Sequence, residues 1–150
     1  MSGRVEALWL KTEEYGPMEA VDALEVVRRT GIRGNANWGG RRQITVIEKE
    51  RWEAMMEALG GPDLDPVIRR AYVMVSGCDL ARSKHRVLRL GAVRVEIVGE
   101  TRPCERMDAA HQGLRRVMAE PWNGGAYGII LDDGAIEVGD AVALDPPASS

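Results

Sequence analysis

The residues VRVEIVGETRPCERM, at positions 93–107, decide the fold and suggest where its chemistry lies. Val93, Val95 and Ile97 alternate with charged residues, which is typical of a β-strand with one buried face. Pro103 has a fixed φ, cannot donate a ladder hydrogen bond and pushes the preceding residue toward extended geometry. We therefore expect the chain to leave the sheet here, with Cys104 on a stiff loop at the end of the strand.

The rest of the chain repeats this pattern of short strands separated by glycine-rich turns. Strands are predicted at 5–9, 43–48, 71–76, 126–131, 135–138 and 141–144, with the turn Asp132-Asp133-Gly134 joining two of them. The segment 18–27 fits either a strand or a helix, and the glycines at 31 and 34 favour a strand.

Two helices are predicted among these strands. Trp52, Met55, Met56 and Leu59 follow helical spacing before Gly60-Gly61-Pro62, and we interpret this stripe as core packing. A shorter helix covers Leu114, Val117 and Met118. The sequence thus predicts a mostly β (α+β) fold, a β-barrel or strongly bent sheet with two or three short helices packed on it.

Composition narrows the classes of function. The 150 residues fit a single domain over 1–145 with a disordered tail at 146–150. A net charge of −3 gives no general attraction to nucleic acid or anionic lipid. There is no secretory signal or membrane-length apolar run, and two cysteines form no disulfide framework, so we expect a cytoplasmic protein.

Few residues are candidates for chemistry. His85 and His111 lie far apart with no ligand spacing, so a zinc site is not expected. Cys78 lies in an apolar stretch and is interpreted as structural. Cys104 is bracketed by Arg102 and Arg106, which favour a thiolate, whereas Glu105 opposes it. An inert thiol at the core edge fits these residues equally well.

Several ordered segments resemble the MOSC domain, named for the C-terminal domain of molybdenum cofactor sulfurase. They span about residues 5–144 and include a glycine-rich turn, an arginine-bearing strand, a thiol loop and a closing hairpin. Their sequences are 31–35 GIRGN, 41–48 RRQITVIE, 69–80 RRAYVMVSGCDL, 90–104 ending in TRPC, and 124–127 GGAY with 134–140 GAIEVGD.

The resemblance implies a barrel-like fold and one functional cysteine, Cys104. In the family this residue is thought either to carry sulfur as a persulfide or to ligate the molybdenum of a pterin cofactor. A phosphate-bearing cofactor needs a cationic cradle. Six arginines are available for it: Arg33, Arg41, Arg42, Arg69, Arg70 and Arg102. Arg70 and Arg102 are favoured because they lie at strand ends, with Arg41 and Arg33 as further candidates and the Thr101 hydroxyl as an addition.

The sequence also departs from the family pattern. Asn35-Ala36-Asn37 replaces an aspartate that is often followed by histidine, and Ala71 replaces a common asparagine. Both changes count against tight pterin binding. We expect this protein to lack the N-terminal β domain and the pyridoxal-phosphate desulfurase domain found beside some MOSC domains. We therefore expect a sulfur donor (a desulfurase or rhodanese-like protein) or a redox partner to act in trans on a small-molecule substrate.

Three hypotheses remain from the sequence, and the first is preferred. Cys104 is a persulfide carrier or nucleophile, in sulfur transfer or in carbon–sulfur bond cleavage, and needs no metal. Alternatively it is the metal ligand of a molybdenum-pterin oxidoreductase acting on N-hydroxylated compounds. In a third case the chain is a non-catalytic module that binds a small anion.

Overall fold

The strands are short, and most of them pair into one sheet. The structure is a computed structural model and describes residues 3–13, 16–36, 39–102 and 106–146. Within these residues the strands are β1 (Gly3–Leu10), β2 (Glu19–Val21), β3 (Ala23–Val27), β4 (Gly31–Ile32), β5 (Ile44–Glu48), β6 (Val73–Ser76), β7 (Val87–Leu90), β8 (Val93–Glu100), β9 (Ala126–Ile130), β10 (Gly134–Glu137) and β11 (Ala141–Leu144). The helices are α1 (Lys49–Ala58), α2 (Arg106–Ala110) and α3 (Leu114–Met118), with a 3-10 helix at Pro66–Arg69.

The larger sheet closes on itself as a barrel. The strands follow the order β1-β6-β5-β9-β8-β7-β11, and β11 returns to β1 through the pair Gly3 and Val142. The β5–β6 pair is parallel and the other barrel pairs are antiparallel. Because the sheet closes, these seven strands leave no unpaired edge. The exception in this sheet is the short strand β2, which is added beside β1. The prediction of a mostly β barrel with short helices is confirmed.

The barrel has an apolar interior and a second apolar layer outside it. Inward-facing residues of the strands, such as Val5, Val75 and Val95, fill the interior with at most 2% exposure. In the outer layer, the α1 stripe packs with buried residues of α2 and α3 and with the outer face of β1, β5 and β6. Trp52, Met55 and Met56 are buried there, so the packing predicted for the α1 stripe is found.

One predicted pairing is wrong. The turn 132–134 does not close a hairpin between the strands on either side of it. Both edges of β9 are already occupied, by β5 and by β8. The chain therefore leaves the barrel after β9, and β10 pairs with β3 in a separate three-stranded sheet, β10-β3-β4. The ambiguous segment 18–27 forms two strands, β2 and β3.

Two further points concern membrane-spanning helices and the C-terminal tail. Among the described residues, no helix has the length and apolar character needed to cross a bilayer. Residues 147–150 of the tail lie outside the described residues, so the expected disorder of that segment stays a prediction.

Candidate functional site

The end of β8 is held against a glycine turn that precedes β9. The Thr101 N–H donates to the Gly125 carbonyl at 2.9 Å, and the Glu100 carboxylate accepts from the Trp122 N–H at 2.9 Å. A Cβ added at Gly124 would collide with the Thr101 carbonyl oxygen, and one at Gly125 would collide with the Val46 carbonyl oxygen. Only glycine permits this close approach, so the two glycines fix the start of the thiol loop.

A buried arginine holds the other side of this turn. Arg69 ends the 3-10 helix, is 8% exposed and donates from Nη2 to the Gly124 carbonyl at 2.5 Å. Thr101 is 4% exposed, and no residue in the described part of the chain forms a hydrogen bond with its hydroxyl. A buried hydroxyl of this kind costs about 1–3 kcal/mol, so the position of Thr101 is imposed by its surroundings.

The thiol loop itself begins at Arg102. Cys104, with Pro103 and Glu105, lies outside the described residues. The Arg102 side chain is 73% exposed, and its Nη2 lies 3.5 Å from a Glu100 oxygen. After the loop, α2 begins at Arg106 and buries Met107 against the outer layer. Both flanks of Cys104 are thus attached to the fold.

The arginines predicted to bind a cofactor have different partners in the structure. Arg70 follows the 3-10 helix in the left-handed region, at φ 60°, and donates from Nη2 to the Gly16 carbonyl at 2.8 Å. Arg33 forms a 3.0 Å ion pair with Glu25 beside the three-stranded sheet. Arg41 is exposed on the loop before β5. Thr101 and Arg102 alone share the end of β8.

A polar row on the outer face of the barrel lies beside the thiol loop. Gly99 of β8 pairs with Tyr127 of β9, which pairs with Thr45 of β5. The Arg42 guanidinium lies 4.8 Å from the centre of the Tyr127 ring. This cation–π contact places Arg42, rather than Arg41, beside the row. Gly99, the β8 member of the row, precedes Thr101 by two residues.

The asparagine that departs from the family pattern has a structural role. Asn35 is 5% exposed, donates from Nδ2 to the Tyr72 hydroxyl at 2.9 Å and accepts from the Lys11 N–H at 3.2 Å. Tyr72 in turn donates its N–H to Thr45 of the outer row, at 3.3 Å to the hydroxyl. Asn35 therefore ties the glycine-rich turn to this face of the barrel.

The second cysteine lies in an acidic environment. Cys78 is half-buried in the loop after β6 and packs against the barrel core. Burial raises the pKa of its thiol to about 11, and the carboxylates of Glu48 and Asp79 add to the increase. At neutral pH only about one Cys78 side chain in ten thousand is then a thiolate.

Arg51 joins three segments near Cys78. No sequence motif identified it as a functional residue. Its Nε donates to Glu48 at 2.6 Å, its Nη1 to Asn123 at 3.2 Å and its Nη2 to Asp79 at 3.1 Å. Burial raises the pKa of the Glu48 carboxyl, and the hydrogen bonds from Arg51 and the Leu80 N–H oppose that increase. The three-residue spacing from Glu48 to Arg51 is the one signal in the sequence for this contact.

Among the described residues no cluster of three or more histidine, cysteine or acidic side chains is arranged to hold a metal ion. In the described residues, the end of the barrel strand β8 is anchored by a glycine turn, with Arg69 and Arg102 beside it. The family model of the MOSC domain matches residues 32–143. The chain belongs to the MOSC domain family.

Solved structures share this fold. The YuaD protein of Bacillus subtilis has a TM-score of 0.76 and 21% identity, with 96% of each chain covered. YiiM of Geobacillus stearothermophilus has a TM-score of 0.75 and 15% identity, covering 96% of this chain and 75% of that one. YiiM of Escherichia coli has a TM-score of 0.71 and 13% identity, covering 98% and 72%. No curated protein matches the chain.

Proposed function

We propose that this MOSC protein is a sulfur carrier in which Cys104 accepts sulfur as a persulfide. The observation that supports it most is the contrast with the second thiol. The chain has two cysteines, and the pKa of Cys78 is raised to about 11. We therefore assign the reactive thiol to Cys104, whose sequence neighbours are the cations Arg102 and Arg106 together with the acid Glu105.

The proposed step is a thiol–disulfide-type exchange with a persulfide donor. The Cys104 thiolate attacks the outer sulfur of the donor persulfide, and the new S–S bond forms as the donor S–S bond breaks. The donor leaves as a thiolate, and Cys104 holds the persulfide anion, so no external oxidant or reductant is consumed. Arginine side chains near the loop stabilise both anions.

Chain connectivity keeps Cys104 near the end of β8. Cys104 is two peptide units from Arg102, whose side chain is 73% exposed. It is also two peptide units from the first residue of α2. Two peptide units span no more than about 7.6 Å between Cα atoms, so the Cys104 Cα lies within that distance of the Arg102 Cα. The proposal includes a sulfur donor in trans, of the desulfurase or rhodanese-like class, in the reducing cytoplasm.

The test is intact-mass analysis after incubation with a persulfide donor. Wild-type protein is expected to gain about 32 Da, reversed by a thiol reductant. Cys104→Ser should gain nothing, and the matched control Cys78→Ser should gain the same mass as the wild type. An adduct that persists in Cys104→Ser, or none in the wild type, rules the proposal out.

A second candidate is molybdenum-pterin binding, favoured by the position of Arg42. Stacking on Tyr127 leaves the in-plane N–H groups of the guanidinium available for a phosphate. These residues fit such a group: Arg42 would hold its phosphate, and Cys104 would ligate the molybdenum. The bound metal would supply redox chemistry to the site. Elemental analysis of protein from a host that makes the cofactor tests this, and the absence of molybdenum ends it.

A further inference from the structure

An apolar cleft lies beside the helix that follows the thiol loop. It is formed by the segment before β2, the 3-10 helix and α2, with a volume of about 350 Å³. Its apolar lining is Pro17, Met18, Val67, Ile68, Met107 and Ala110, and Arg70 is the charged residue among them. This volume is at the lower end of the range for small-molecule sites.

Arg70 is held rigidly in the wall of this cleft. Its backbone is in the left-handed region, and its Nη2 donates to the Gly16 carbonyl at 2.8 Å. Within the described part of the chain, its other N–H groups have no acceptor. A half-buried guanidinium with open donors beside apolar walls can bind an anion through charge-assisted hydrogen bonds.

The cleft is close to the thiol loop along the chain. Met107 and Ala110 belong to α2, which begins two residues after Cys104. Met107 is 4% exposed and therefore fixed, while Met18 is half-buried and able to adjust to the shape of a ligand.

We propose that this cleft binds an apolar molecule with a single anionic group, a carboxylate or sulfonate, held by Arg70. This binding site goes beyond the proposed function and requires no reaction at Cys104. The apolar walls bind the hydrocarbon body, and Arg70 selects for the charge. Molecules with several phosphates would bring charges that no described residue of the cleft neutralises.

The test is calorimetric titration of the Cys104→Ser variant with (phenylthio)acetate and with the neutral 2-(phenylthio)acetamide. The carboxylate is expected to bind at least tenfold more tightly than the amide. Arg70→Gln should remove that preference and leave amide binding unchanged. The matched control is Arg116→Gln, which changes an arginine in a different cleft, between α1 and α3, and should retain it.

A second variant keeps the test independent of the stability of Arg70→Gln. Ala110 is exposed, so Ala110→Trp should fold and fill the cleft, weakening both probes at least tenfold. The pocket is disproved if the Cys104→Ser parent does not bind the carboxylate, or if Arg70→Gln or Ala110→Trp made in that parent binds both probes as the parent does. Failure of the carrier function is distinguishable, because it is measured as the missing Cys104 mass adduct and not as binding.

Discussion

The two cysteine-bearing loops follow strands of the same barrel but differ in their electrostatic surroundings. The loop after β6 half-buries Cys78 near Glu48 and Asp79; burial, and then these carboxylates, raise the pKa of its thiol to about 11. The loop after β8 begins with Arg102 and is held by Arg69 through the glycine turn. Burial, with the nearby carboxylates adding to it, keeps the Cys78 thiol protonated, so we expect Cys104 to be the thiol that reacts.

The largest expected effect comes from breaking the anchor of the Cys104 loop. Gly125→Ala places a Cβ against the Val46 carbonyl oxygen at φ 89°. Overpacking and left-handed strain together should lower the free energy of unfolding by about 3 kcal/mol, as measured by urea denaturation.

Gly60→Ala is the matched control for that change. Gly60 has a φ of 93° but nothing within 4 Å of an added Cβ, so it should cost only about 1–2 kcal/mol from the left-handed conformation. Equal losses for the two variants would mean that close packing does not anchor the turn.

A smaller expected effect tests the raised pKa of the Cys78 thiol. In Cys104→Ser, alkylation of Cys78 by iodoacetamide should accelerate about tenfold per pH unit from pH 8 to 10, because the thiolate is the reactive form. The rate should level only near pH 11. A plateau near pH 9 would show that the surroundings of Cys78 do not raise its pKa. Since the pKa is raised on folding, the stability that the protonated thiol contributes is lost as the pH rises through about 11.

The smallest expected effect separates the contributions of charge and of burial to the pKa of Cys78. Asp79→Asn removes one of the carboxylates that raise the thiol pKa, while burial, the largest cause, remains. The alkylation rate at pH 8 should therefore increase by less than about tenfold. Asn can still accept from the Ala81 N–H as Asp79 does, and a larger acceleration would make charge the dominant cause.

Local patterns predict the elements of this fold but not their partners. The alternation of Val93, Val95 and Ile97 predicts β8, and the stripe at Trp52 and Met55 predicts α1. Pairing depends on which edges are free, so the position of β10 beside β3 has no local signal. The five-residue helix α2 is too short to show helical periodicity.

The candidate site was predictable only in part, for the same reason. A proline before a cysteine at a strand end identifies the loop. The contact of Arg42 with Tyr127, which is distant in sequence, and that of Arg69 with Gly124 depend on barrel closure. Arg41 and Arg42 are adjacent exposed arginines, and sequence has no means of choosing between them.

Competitive labelling of both thiols in the folded wild-type protein at pH 7 tests the central claim most directly. Limiting iodoacetamide followed by peptide mass spectrometry gives the two rates in one sample. We predict that Cys104 reacts on the order of 100-fold faster than Cys78, because its thiolate is the more abundant. Equal rates, or faster labelling of Cys78, would contradict the assignment of Cys104 as the reactive thiol.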